Sequence, residues 1–290
     1  MELFGQVAQE KLLLGGQAVI EGVMIKGPAH YAVSVRKKGK ILTMVKKLRP
    51  RPSAKVPFIR GIINLYDMMV IGMESMIWSS NQAEEEEGKA SKKEIFFTVA
   101  FAVVAAITMF IFLPLVLTKI ITSKPGIAFN VIDGIFRIIV FLLYLLIISV
   151  FKDVKRVFQY HGAEHMAVHC HEANMKLTGA NVRRFSPIHP RCGTSFLFIV
   201  LLLSILVFSV VTRSSILAQF VGRIILIPVI AGISYEILRF AAKHEKNPLM
   251  RPFILPGLWL QKITTRNPRD DQIEVALASV AAVNKAEKAS

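Results

Sequence analysis

The sequence predicts an α-helical polytopic membrane protein, with about four transmembrane helices, an amphipathic helix and a small N-terminal cytoplasmic β-rich unit. Three observations predict it. Of the 290 residues, 53% are hydrophobic and the mean hydropathy is +0.50, too apolar for an ordinary soluble chain. Apolar stretches of spanning length recur, and the cleanest, residues 95–118, holds no charge. Lysine and arginine are distributed unevenly: 15 in residues 1–94, two between the first two apolar stretches, seven in 152–194 and nine from Arg239 onward. By the positive-inside bias, both termini and the 152–194 segment face the cytoplasm of a bacterial plasma membrane.

The first 56 residues form the β-rich unit. The stretch Gly15 to Ile25 is apolar and β-branched with glycine punctuation, and reads as strand. Residues 31–36 and 41–45 flank Lys37-Lys38-Gly39-Lys40, a hairpin turn. Pro50 and Pro52 close the unit. Glu21, one acid in an apolar strand, is a candidate ligand or catalytic carboxylate set against a structural role. Residues 57–94 are an amphipathic helix and a charged linker. Arg60, Asn64, Asp67 and Glu74 make one polar stripe, and Glu84 to Glu87 with Lys89, Lys92 and Lys93 make the linker.

Residues 95–240 are the transmembrane region. Pro114 kinks the first span. The second, 127–151, carries Asp133 and Arg137 at i, i+4, a pair that neutralises itself. The third is 195–212. The fourth, 216–238, contains Arg223, Pro228 and Glu236. The basic tail, 241–290, ends in a helix opened by Pro268 with Asn267 as its cap.

Between the second and third spans lies the stretch that carries chemistry. Residues 158–194 hold five of the seven histidines and both cysteines. His161-Gly162-Ala163-Glu164-His165 matches the H-x-x-E-H pattern of inverted zinc hydrolases. On a helix, His161 and His165 share a face and reach one metal, while Glu164 stands ~60° away as a general base. His165 and His169 are a second i, i+4 pair, and Glu172 extends the same face. The third ligand is open between Glu172, His189 and Cys192, and Gly162 weakens the helix in mid-motif. The cofactor expected is zinc or another divalent transition metal. Arg183, Arg184 and Arg191 are candidates for holding an anionic substrate or stabilising developing charge. The bland alternative is a polar surface helix whose histidines bond to neighbours or headgroups.

Two cysteines are too few for a disulfide framework and read as reduced thiols or ligands. The first 30 residues lack the apolar core of a signal peptide. There is no nucleotide-binding glycine loop. A formal charge of +16 points to anionic partners, lipid headgroups first.

The chain resembles the YqhQ-like family of bacterial membrane proteins, a domain-of-unknown-function family labelled as metal-dependent enzymes. The resemblance rests on GGQAVIEGVMIKGP (15–28), FIRGIINLYD (58–67), YHGAEHMAVHCHE (160–172), HPRCGTSF (189–196) and PGLWLQKITTRNP (256–268). It implies the membrane architecture more than any particular reaction.

Three functions follow as expectations. The first is a membrane-anchored, metal-dependent hydrolase with a cytoplasm-facing site. The second is a non-enzymatic membrane factor that docks an anionic cytoplasmic partner such as the ribosome, or another membrane protein, with a structural His/Cys site. The third is metal-ion transport or sensing through Asp133, Arg137, Arg223 and Glu236. DNA binding is not expected.

Overall fold

The computed structural model describes residues 14–49, 56–83, 91–122, 126–210, 215–244 and 247–290. Pro50 and Pro52, the acidic run Glu84 to Glu87 and Lys89 lie outside them. The strands are β1 (Gly15–Val19), β2 (Gly22–Lys26), β3 (His30–Lys37) and β4 (Lys40–Lys47). The helices up to the histidine-rich segment are α1 (Ile59–Ala83), α2 (Lys92–Ile107), α3 (Leu113–Ile121), α4 (Ile127–Ile148) and α5 (Lys152–Glu172). After it come α6 (Gly179–Val182), α7 (Gly193–Val210), α8 (Ile216–Lys243), α9 (Arg251–Thr264) and α10 (Asp270–Lys288). The chain divides into two units, one of residues 1–50, 157–189 and 266–290, the other of 51–156 and 190–265.

The first unit brings together three stretches that are far apart in the chain. Its four strands form an antiparallel meander in the order β1-β2-β3-β4. The β3–β4 turn falls within the expected Lys37–Lys40 stretch but is tighter, a two-residue loop, because Lys37 and Lys40 pair. Lys38 (φ 47°) and Gly39 (φ 80°) both take the left-handed backbone that a type I′ hairpin needs. The stretch expected to be one strand is two. Val19 pairs with Gly22, and Ile20-Glu21 turn the chain, with Glu21 at φ 54°. Glu21 is therefore a turn residue; its carbonyl accepts from Arg36 N–H at 2.8 Å. β4 is an exposed edge, whereas β2 is buried through four of its five residues.

Alternation sends Val23, Ile25 and Ala32 to one face of the sheet. That face packs on Tyr160, Ala163, Ala167 and Val168 of α5 and on Val275, Ala276, Val280 and Val283 of α10. Small residues at 163 and 167 let α5 lie close. Ser279 of α10 adds a hydrogen bond from its hydroxyl to the Val23 carbonyl at 2.7 Å. α10 does not start on Asn267: Arg269 occupies the cap position, and its N–H donates to Gln272 Oε1 at 2.9 Å. α5 ends in a Schellman turn. Asn174 is left-handed (φ 54°), Asn174 N–H donates to the His171 carbonyl, and Met175 N–H to the Cys170 carbonyl.

The second unit is helical. Among the described residues, three stretches are long and apolar enough to cross a membrane: 93–121, 127–148 and 217–241. The apolar part of α7, 193–208, is shorter. Ser91 and Glu94 form a reciprocal capping box that starts α2. The expected irregularity at Pro114 takes the form of a π-turn over Thr108–Phe112, between α2 and α3. A proline lacks an N–H and its ring crowds the carbonyl four residues back, so a widened turn just before it removes the clash.

The polar stripe of α1 meets α8. Arg60 Nε donates to Glu236 Oε1 at 2.7 Å, and Asn64 Nδ2 to the Tyr235 hydroxyl at 2.9 Å. Gly61 permits this approach, since a Cβ there would sit 2.9 Å from Tyr235 Cβ. The tail stretch 251–264, apolar and proline-punctuated, is the regular helix α9 packed on α7. Gln261 Nε2 donates to Ser195 Oγ at 3.2 Å, and a Cβ on Gly257 would fall 2.6 Å from Ser195 Cβ.

Candidate metal centre

α5 carries the histidines, and its pattern explains which way they face. Ala163, Ala167 and Cys170 recur at three- and four-residue spacing and are buried in the first unit. His161, His165 and His169 follow the same rise on an adjoining face. The segment after α6 then folds back over them. Thr178 caps α6, and Pro187 stiffens the return strap.

The strap contributes two consecutive backbone carbonyls. Pro187 O lies 2.6 Å from His165 Nδ1, and Ile188 O lies 3.0 Å from His169 Nε2. A carbonyl only accepts, so the ring nitrogen facing it carries the proton. Neutral His165 therefore keeps its lone pair on Nε2, and neutral His169 on Nδ1. Such carbonyl contacts are the usual way a metal-binding imidazole has its tautomer and orientation set. His165 is 2% exposed. Burial pushes its pKa well below the usual histidine range, and the adjacent His161 adds to this, against the opposing pull of the Pro187 carbonyl. His165 is thus a neutral donor at physiological pH.

The four rings adjoin in a row. Centroids are 4.4 Å apart for His161 and His165, 5.6 Å for His165 and His189, and 4.2 Å for His189 and His169. Phe185 stacks on His169 from outside at 6.1 Å. Of the open third-ligand candidates, Glu172 and His189 join His169. Ligand-capable atoms of these three lie within 4.8 Å of one another, and Glu172 Oε2 is 3.4 Å from His189 Nε2. Two imidazoles and a carboxylate are a three-ligand set of the kind that leaves a divalent metal an open position.

Glu164 lies on the other flank. It is 4% exposed, with Oε2 3.5 Å from His165 Nε2. Its room comes from Gly16 in β1: a Cβ there would be 2.7 Å from Glu164 Oε1 and 2.6 Å from the Met24 carbonyl. Gly162 likewise has a structural reason. A Cβ at 162 would overlap the Arg266 carbonyl oxygen, inside the 3.0 Å that no real Cβ tolerates. Arg266 N–H donates to the Phe158 carbonyl at 2.9 Å, so the chain entering α10 runs directly over the motif.

The remaining candidates are placed as follows. Glu21 accepts from the Tyr160 hydroxyl at 3.3 Å. Arg183 is exposed and ion-paired with Asp270, and Arg184 is exposed. His171 faces α10, where Asn284 Nδ2 is 3.2 Å from its Nδ1. Cys170 is a buried core thiol, and burial pushes its pKa up. Arg191 and Cys192 belong to the second unit, where Cys192 Sγ lies 3.2 Å from the Thr194 hydroxyl. Sequence reasoning missed Pro187 O, Ile188 O and Gly16. The signal in the sequence that could have found the strap is the pair of prolines at 187 and 190, which stiffen the segment.

The family model described as "Protein of unknown function (DUF1385)" matches residues 56–286. The chain belongs to this family. It is also 34% identical over 289 residues to the uncharacterized protein YqhQ of Bacillus subtilis (strain 168), covering 91% of this chain and 90% of that protein. No solved structure matches. The DUF1385 match spans the whole of α5 and its strap, together with Gly61, Gly162 and Gly257 at their close approaches. Neither description assigns an activity, so the chemistry rests on the geometry.

Proposed function

We propose that this DUF1385 protein is a membrane-anchored, metal-dependent hydrolase whose site is the histidine face of α5. The observation that carries the reading is the pair of carbonyls, Pro187 and Ile188, that set the tautomers of His165 and His169. A solvated surface helix needs no such strap. His169, Glu172 and His189 would hold a divalent metal, zinc or another transition ion, and the His161–His165 pair adjoins them. When bound, the metal supplies Lewis acidity and lowers the pKa of water toward neutrality. Glu164, buried beside His165, takes the proton from water as general base and returns it to the leaving group. His165 stays neutral, its pKa held low by burial.

In this reading the apolar helices form a multi-pass anchor in a bacterial plasma membrane, both termini are cytoplasmic, and anionic headgroups meet the basic flanks. The support is the lysine and arginine asymmetry together with three helices of spanning length.

Metal content of the purified full chain, measured by mass spectrometry, tests the reading. Wild type is expected to hold about one metal per chain, as a three-ligand site implies. His169→Ala and His189→Ala should lose it. Glu164→Gln should keep it and lose hydrolytic turnover in a substrate screen. Folded wild type that carries no metal and takes none up sinks the hydrolase.

A second reading has one observation in its favour. Lys38, Lys40, Lys46, Lys47 and Arg49 are all exposed along the β3–β4 edge hairpin. This basic edge would dock an anionic partner such as ribosomal RNA. Salt-sensitive co-sedimentation with ribosomes, abolished by neutralising Lys37, Lys38, Lys46 and Lys47, would favour it. Equal binding by that variant removes it.

A further inference from the structure

The second unit contains an ion cluster that the α5 site does not use. Asp133 and Arg137 lie one turn apart on α4, and Arg137 Nε is 3.0 Å from Asp133 Oδ2. Arg223 of α8 donates from Nη1 to the other carboxylate oxygen, also at 3.0 Å. The three residues are 1%, 5% and 4% exposed in that order. Two guanidinium groups against one carboxylate leave the cluster one positive charge in excess. An uncompensated buried charge is strongly unfavourable.

Phe208 of α7 offsets part of that cost. Its ring centroid is 4.8 Å from the Arg137 guanidinium carbon and 5.5 Å from that of Arg223. A π face satisfies no particular donor, however. Nη2 of Arg137 and Nη2 of Arg223 are buried and have no hydrogen-bond partner among the described residues. Beside Arg223 there is a cavity of about 10 Å³, lined by Asn130, Phe208, Ala218 and Gln219 among others. A space of that size takes one small guest, a water or a monatomic ion.

We infer that this cluster binds one small monovalent anion of halide size, chloride being the abundant one. Such a guest supplies both things missing, an acceptor for Nη2 of Arg223, which lines the cavity, and the balancing charge. Water supplies only the first. Phosphate and carboxylate ions exceed the cavity, and a cation would meet two fixed arginines. The bound anion ties α4, α7 and α8 together from within, so it acts as an internal counter-ion for the helical unit.

The test is thermal unfolding of the full chain in phosphatidylcholine nanodiscs, in sodium chloride, bromide or gluconate at matched ionic strength. Chloride and bromide should raise the midpoint saturably, and gluconate should not. Ala218→Leu fills the cavity and leaves every charge in place, so it should keep the fold and weaken the apparent halide affinity at least tenfold. Asp133→Asn raises the excess charge and should tighten halide binding severalfold. Equal midpoints in chloride and gluconate overturn the inference, whatever the variants do. So does an unaltered halide response in folded Ala218→Leu.

Discussion

Gly162→Ala sets two rules of opposite sign against each other. In a helix interior, alanine is worth ~1 kcal/mol more than glycine. Propensity alone therefore predicts a more stable α5. The structure predicts the reverse. The new methyl would overlap the Arg266 carbonyl oxygen and would also stand 3.2 Å from the Arg266 carbonyl carbon and 3.3 Å from Pro187 Cβ. Two of these three atoms are backbone, so no flexible side chain can move aside. Overpacking of this kind costs about 1–3 kcal/mol. Displacing the chain also breaks the Arg266 to Phe158 bond of 2.9 Å, worth ~0.5–1.5 kcal/mol. After the propensity gain, the net loss is about 0.5–3.5 kcal/mol. Hydrogen exchange on the full chain, followed in peptides covering 158–168 and 264–272, reads that loss locally. Exchange should quicken by about 2- to 400-fold in both. Gly179→Ala, with nothing within 4 Å of its Cβ, is the control and should leave both unchanged. Slower exchange in Gly162→Ala would show that propensity wins and that the strap does not press on the motif.

Three further outcomes are expected. In metal-free protein, His165 has a folded pKa below its unfolded value, so the unfolded chain takes the proton first as pH falls below ~6.5. Stability of the first unit should then drop with acidity by at most ~1.4 kcal/mol per pH unit; urea midpoints at pH 7.5 and 5.5 check this, His165→Gln should flatten the profile, and rising stability toward pH 5.5 contradicts it. Gly16→Ala should displace the Glu164 carboxylate, cutting stability by about 1–3 kcal/mol while sparing metal content, so a loss of metal there would place Glu164 among the ligands. Lys38→Asn, at φ 47° in the I′ turn, should stabilise the hairpin by up to ~1 kcal/mol, and a lower melting midpoint would argue against the left-handed assignment.

Much of the architecture was legible along the chain, because it is written in local pattern. The spacing of His161, His165 and His169 places them on adjoining turns of any helix. Lys38-Gly39 between alternating apolar residues can turn only as a hairpin does, and the uncharged run 95–118 can be little but a long apolar helix. Local pattern misled where tertiary contacts overrode it. Glu21 looked like a strand acid, yet Val19 pairs with Gly22 and forces the turn. Gly162 looked like a defect in the motif, yet it is the only residue that admits the Arg266 backbone. Asn267 looked like a cap, yet Gln272 bonds one residue before the helix.

The candidate site divides in the same way. Side-chain identity and helix period determined which residues carry lone pairs and roughly which face they share. The tertiary structure decided how they are used. It assembled the β strands, α5 and α10 into one unit from three distant stretches, seated Glu164 over Gly16, and brought His189 and Glu172 to His169. It also laid the carbonyls of Pro187 and Ile188 against two imidazoles. Carbonyls are the same on every residue, so no spacing of letters marks the two that fix a tautomer. Contacts between segments tens of residues apart depend on how whole elements pack, which only the folded chain determines.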